Sequence, residues 1–186
     1  MTSEIQSHHR QSIRLKEYDY SQTGAYFVTV VVHERECLFG EIINDEMRLS
    51  QFGKIARVEW FKTMELRPYV KLWDDEFVVM PNHIHGIVWI EDRSVGSRRR
   101  RDPTERRAPT EQFGKPVAGS LPTIVRAYKS AVTYKINESR STRGSPVWQR
   151  NYYEHVIRNG SDHERIYKYI QSNPFQWEKD EENPSR

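Results

Sequence analysis

The sequence predicts an α+β fold in which helices pack on an antiparallel sheet. Three observations lead there: short runs of β-branched and aromatic residues, three stretches at helical spacing opened by capping residues, and no regular βαβαβ series that would build a parallel sheet. Ala25–Val32 (AYFVTVVV) reads as a buried strand. Cys37–Ile43 and Met47–Leu49, split by Asn44-Asp45-Glu46, read as a hairpin. Ser50 is an N-cap for a helix to about Met64, with Phe52, Ile55, Val58 and Phe61 (or Ala56, Glu59 and Trp60) at helical spacing and Pro68 beyond its end. Val70–Trp73 and Phe77–Met80 form a strand region broken by Asp74-Asp75, and Pro81-Asn82 joins it to a strand over His83–Ile90. Ser120 opens a second helix to about Asn137, Val147–Ile157 is extended, and Ser161-Asp162 caps a last helix from His163 to about Asn173, ended by Pro174.

The chain has 186 residues, enough for one domain with a core of useful size. The reading places a polar tail at 1–11, a single domain at 12–177 with a flexible basic insertion at 92–119, and a second polar tail at 178–186. The longest apolar stretch lies near Ala25–Val32, well short of the roughly 20 residues a membrane span needs. Cys37 is the only cysteine, which excludes a disulfide framework or a thiolate metal cluster and makes a reducing, intracellular compartment the expectation. Net charge is +3, yet Arg93–Arg107 alone carries seven arginines against Asp102 and Glu105, a local +5. A run containing Arg98, Arg99, Arg100 and Arg101 suits phosphate contacts. It is equally the composition of a solvated loop.

The strongest chemical signal is MPNHIHGIVWI, Met80–Ile90. Residues two apart on a strand point to one side, so His83 and His85 converge while Ile84, Val88 and Ile90 face the core. Two such imidazoles can begin a divalent-cation site, or they can be half-buried histidines hydrogen-bonded at a sheet surface. Gly86 would let a ligand or another backbone approach closely. The second signal lies on the last helix, where Tyr169 and Asn173 are one turn apart and share a face. A phenol beside a metal is a nucleophile for phosphorus, and an asparagine oxygen suits Mg²⁺ or Mn²⁺. The competing reading is ordinary helix packing for Tyr169 and a helix end for Asn173.

MPNHIHGIVWI, then SLPTIVRAYKSAVTYKIN, PVWQRNYYEHVIRN and ERIYKYIQSNP, occur in an order that resembles the one-tyrosine HUH transposases, and within them the REP-associated tyrosine transposases. The resemblance spans about Ser12 to Trp177. It implies a ferredoxin-like HUH endonuclease architecture, with His83, His85 and Asn173 as ligands of Mg²⁺ or Mn²⁺ and Tyr169 as the nucleophile. It further implies a 5′-phosphotyrosine intermediate on single-stranded or hairpin DNA, a free 3′-OH, and a bacterial, cytoplasmic protein working at the nucleoid as monomer or homodimer. The Arg-rich insertion is longer than the family pattern and has no counterpart to borrow from.

Among the other tyrosines, Tyr167 points about 200° away from Tyr169 on a helix, and Tyr153 ranks second as nucleophile. Trp148, Gln149, Arg150 and Tyr152 combine aromatic, polar and basic groups suited to unpaired DNA. Arg126, Lys129 and Lys135 on the second long helix can meet phosphates. Two other function classes stand beside the transesterase: a hairpin-DNA binding module that does not cleave, and a zinc hydrolase or deaminase. A Cys pair or His-x-Glu signature, which the deaminase needs, is missing from the sequence.

Overall fold

A strand buried on both faces needs no polar alternation, and Gly24–Val31 is such a strand, β1, in the computed structural model, which describes residues 15, 18–92 and 117–186. From Ala25 to Val31 no residue is more than 8% exposed. β1 pairs antiparallel with β6 (His83–Ile90) on one side and with β7 (Tyr153–Ile157) on the other. β4 (Val70–Lys71) and β5 (Phe77–Val79) both pair with β6, completing a five-stranded antiparallel sheet. The hairpin of β2 (Gly40–Ile43) and β3 (Glu46–Leu49) stands apart as its own two-stranded sheet. Its turn residues Asn44 and Asp45 take φ of 53° and 63°, the left-handed pair that a tight hairpin turn requires. Residues 1–11 and Arg98, Arg99, Arg100 and Arg101 lie outside the described residues.

Among the described residues three α-helices cover the sheet: α1 (Gln51–Leu66), α2 (Leu121–Arg140) and α3 (Gly160–Ser172). Ser50 caps α1 as expected, its hydroxyl accepting from the Phe52 and Gly53 amides at 3.1 Å each. The buried face of α1 is Gly53, Ala56, Glu59, Trp60 and Thr63, while Val58 is 50% exposed. Of the two faces open to the sequence reading, the one through Glu59 faces inward because Lys135 and Lys62 reach its carboxylate at 2.5 and 3.3 Å. The last helix begins earlier than the Ser161-Asp162 signal suggested. Asn159 is its cap, with Oδ1 accepting from the Asp162 amide at 2.9 Å. Of the extended stretch expected over Val147–Ile157, only β7 joins the sheet, and Trp148 makes a lone bridge to Val32.

The layers follow from strand alternation. Tyr26, Val28 and Val30 of β1 and Ile84, Val88 and Ile90 of β6 build the main core with Ala56 and Trp60 of α1 and Tyr128, Val132 and Ile136 of α2. Ala25, Phe27 and Ile87 face the other way and form a smaller core with Ile166 and Ile170 of α3. The sheet is thus sandwiched, with α1 and α2 on one face and α3 on the other. Gly86 belongs to the α1 face: a Cβ there would stand 2.5 Å from Trp60 Cζ2 and 3.0 Å from Phe77 Cδ2. The close approach it permits is therefore that of an indole ring and not of a ligand. Gly86→Ala is expected to cost about 1–3 kcal/mol by forcing the stacked Trp60 and Phe77 rings (4.8 Å between centroids) apart. Urea denaturation measures this, and an unchanged midpoint would mean that the rings slide freely.

Candidate active site

The register of β6 on β1 sets Thr29 opposite His85 and Val31 opposite His83, which puts both imidazoles on the α3 face. His83 is fully buried and His85 is 3% exposed. Each ring is oriented through Nδ1. His83 Nδ1 lies 2.8 Å from Asn82 Oδ1, and the Asn82 amide nitrogen donates to the Arg35 and Glu182 carbonyls at 3.1 and 2.6 Å. With its nitrogen committed to two acceptors, Asn82 presents oxygen to His83, so Nδ1 of His83 carries the proton. His85 Nδ1 is 2.8 Å from the Thr29 hydroxyl. The two Nε2 atoms face each other at 2.9 Å. Burial drives His83 down to about 3 and, with His83 as a lesser contributor, His85 well below its ordinary value, so both rings are neutral.

On α3 the stripe Ile166, Tyr169, Ile170, Asn173 follows helical spacing, and burial of Ile166 (3% exposed) and Ile170 (fully buried) turns Tyr169 and Asn173 toward the histidines. Each isoleucine contributes about 1.5–3 kcal/mol to that docking. The Tyr169 hydroxyl lies 3.2 Å from His85 Nε2, and the tyrosine remains 41% exposed. Partial burial, assisted by the nearby Asp180 charge, pushes its phenol up to about 12, while a hydrogen bond from the Asn173 side chain opposes the rise. Asn173 itself is 2% exposed, and its Oδ1 is buried without a hydrogen-bond partner. Tyr167 points elsewhere, its hydroxyl 3.4 Å from Asp75 Oδ2.

The sequence reading assigned residues 178–186 to a tail, but that segment returns to the site. After the short helix Pro174–Lys179, Asp180 brings Oδ2 to 3.9 Å from His83 Nε2, and Glu182 pairs with Arg35 at 2.9 Å. His83, His85 and Asp180 each offer a ligand atom within 4.8 Å of the others. With both rings neutral, the two Nε2 atoms and a carboxylate converge on one point, and the proton of His83 sits on Nδ1. Two nitrogens about 3 Å apart are also what adjacent ligands on a metal with bonds of about 2.1 Å present. The orphaned Asn173 oxygen is a further acceptor. The donor set fits a divalent cation.

No family profile matches the chain. An uncharacterized protein of Haemophilus influenzae is 42% identical over 174 residues, covering 94% of this chain and 93% of that one. The chain belongs to the family of that protein. Among solved structures, a REP-associated tyrosine transposase bound to a REP hairpin has the same fold, with a TM-score of 0.56 and 20% identity over 89% of this chain and 73% of that one. The antiparallel α+β architecture expected from the sequence is the one observed, and that solved structure shares it.

Other candidates separate by burial. Trp148 is 6% exposed, packed between Phe39 and Tyr128, with its indole N–H on the Lys129 carbonyl, so its ring is closed to DNA. Tyr152 packs against the main core. Lys129 donates to the Gln149, Arg150 and Asn151 carbonyls at 2.7, 3.2 and 3.4 Å, and burial pulls its ammonium down to about 8. It holds the loop that carries Gln149. Lys135 is tied to Glu59. Arg126 and Arg150 are exposed and remain available to phosphate. The sequence reading missed Asn82, Thr29, Phe27 and Asp180. Thr29 had a visible signal, being the one aliphatic hydroxyl in a strand otherwise of glycine, aromatic and apolar residues, where a buried polar group needs a partner.

α3 is further fastened by two histidine–carboxylate pairs. His163 Nε2 lies 2.6 Å from Glu76, whose other oxygen accepts from the Trp89 indole at 2.6 Å, and His155 Nε2 lies 2.7 Å from Asp162. The His155 and then the Arg165 bonds hold the Asp162 carboxyl at about 2, below its ordinary 3.8. A depressed carboxyl stabilises the fold above its unfolded value and loses that contribution as pH falls through the folded one. The stability difference between wild type and Asp162→Asn is therefore expected to shrink as pH drops from about 4 to about 2. Denaturant midpoints across that range check it; a difference independent of pH would assign the effect to helix capping instead.

Proposed function

We propose that this protein is a metal-dependent single-strand DNA transesterase that acts on hairpin-forming DNA through Tyr169. The observation that carries the reading is the Tyr169 hydroxyl 3.2 Å from His85 Nε2, beside a second, neutral imidazole whose Nε2 faces the same point. The shared fold with a transposase solved on a REP hairpin supports the choice of substrate. Mg²⁺ or Mn²⁺ would be held by His83 and His85 with oxygen from Asn173 and Asp180, and when bound it supplies Lewis-acid polarisation of the scissile phosphate.

The residues do the rest. Asn82 holds His83 in the tautomer that leaves its Nε2 free, and the Thr29 hydroxyl orients the His85 ring through Nδ1. The Asn173 amide donates toward the Tyr169 oxygen, stabilising it as negative charge develops there. That oxygen bonds to phosphorus as the P–O3′ bond breaks, leaving a 5′-phosphotyrosine and a 3′-hydroxyl that takes up the equivalent of the proton the phenol gave up. Reversal by another 3′-hydroxyl rejoins strands without an external energy source.

Covalent trapping tests the reading. Protein incubated with a hairpin oligonucleotide and Mn²⁺, Mg²⁺ or EDTA is expected to give a metal-dependent adduct on a denaturing gel. Tyr169→Phe and His83→Ala should reduce it to background, with hairpin binding retained in Tyr169→Phe. An adduct that survives Tyr169→Phe would move the nucleophile; tight hairpin binding with no adduct under any metal would make the protein a non-cleaving hairpin-binding module. Titration calorimetry supplies a second measurement. Asn82→Ala should weaken Mn²⁺ binding about 10–100-fold by releasing the His83 ring; unchanged affinity would remove Asn82 from the metal site.

A further inference from the structure

Tyr153 is a large, half-exposed side chain beside the site that the proposed reaction leaves unused. It lies opposite Thr29 on the edge strand β7, and Thr29 lies opposite His85. Directly opposed residues of antiparallel strands share a face, so Tyr153, Thr29 and His85 form one row across the sheet, with Tyr153 about 10 Å from His85 at two strand spacings. The other two residues on that face of β7 are engaged by α3: His155 bonds Asp162, and Ile157 packs against the smaller core. Tyr153 is left 49% exposed.

Phe27 explains how an exposed ring is held in place. It stacks on His85 at 5.4 Å between centroids with planes 24° apart, and it meets Tyr169 and Tyr153 edge-on at 6.0 and 6.2 Å. The two half-exposed tyrosines therefore flank a single buried ring. The neighbouring Tyr152 points to the opposite face and is anchored against the main core, which fixes the backbone that carries Tyr153.

We infer that Tyr153 is a stacking platform for the base adjoining the scissile phosphate, a positioning residue that holds an unpaired nucleotide while Tyr169 attacks; the inference rests on the single-strand DNA reading of the site. An aromatic face on a rigid strand accepts any base, since every base has a π-face. A phenyl ring does this as well as a phenol, whereas a nucleophile needs the hydroxyl. That difference makes the inference testable.

Hairpin oligonucleotides carrying 2-aminopurine on either side of the scissile phosphate are titrated with protein in EDTA, so that no cleavage intervenes. Wild type and Tyr153→Phe are expected to quench the fluorophore on one of the two sides. Tyr153→Ala should lose that quench and bind about tenfold more weakly, with an unchanged melting temperature. On adding Mn²⁺, Tyr153→Phe should form the adduct at the wild-type rate. Quenching by Tyr153→Ala equal to wild type would overturn the platform. Loss of the adduct in Tyr153→Phe, with quenching intact, would make Tyr153 a participant in the chemistry instead. Wild type that fails to bind the hairpin at all would overturn the DNA reading and this inference with it.

Discussion

Antiparallel pairing of β1 with β6 in the register that sets Thr29 opposite His85 decides which side of the sheet carries chemistry, because a slip of one residue would turn both imidazoles toward α1 and α2. Several features hold that register. Ile84, Val88 and Ile90 are buried in the main core, and Gly86 must lie under Trp60, where a side chain does not fit. Thr29 then completes the link from the partner strand, since its hydroxyl meets His85 only in this register. Fold and site are specified by the same alternation.

The second layer is held differently. α3 rests on a small apolar cluster of five buried residues and takes much of its remaining fixation from polar contacts, His163 with Glu76 and His155 with Asp162. Glu76 is buried and bonds both His163 and the Trp89 indole, so a single carboxylate joins the helix to β6. A charged-group hydrogen bond of this kind is directional where apolar contact is not. It orients the helix about its axis, and with it the angle at which Tyr169 and Asn173 enter the site.

Burying polar groups without partners costs stability, and the centre is arranged so that nearly every donor there is assigned. Asn82 is saturated by His83, Arg35 and Glu182, which couples a proposed metal ligand to the returning C-terminal segment through one side chain. Acceptors gather there as well: the two Nε2 atoms and the Asp180 carboxylate lie within 4.8 Å of one another, and the Asn173 oxygen is buried without a hydrogen-bond partner. A surplus of acceptors is the pattern that a cation, as proposed for this site, would relieve.

Much of this was legible in the sequence. Strand period two puts His83 and His85 on one face, helix period 3.6 puts Tyr169 and Asn173 on another, and the β6 limits and the Ser50 cap follow from local patterns alone. These are properties of neighbours along the chain, and short-range sterics and hydrogen bonding set them. The register that joins Thr29 to His85 and the stacking of Phe27 on that ring lie beyond such patterns. So do the burial of Trp148 and the return of Asp180 to His83. Each depends on groups far apart in the chain, or on which of two faces finds a partner: Glu59 faces inward because Lys135, on another helix, reaches it. Local composition determined the elements and the chemistry each one carries; only the packing of distant segments decided which of those groups meet.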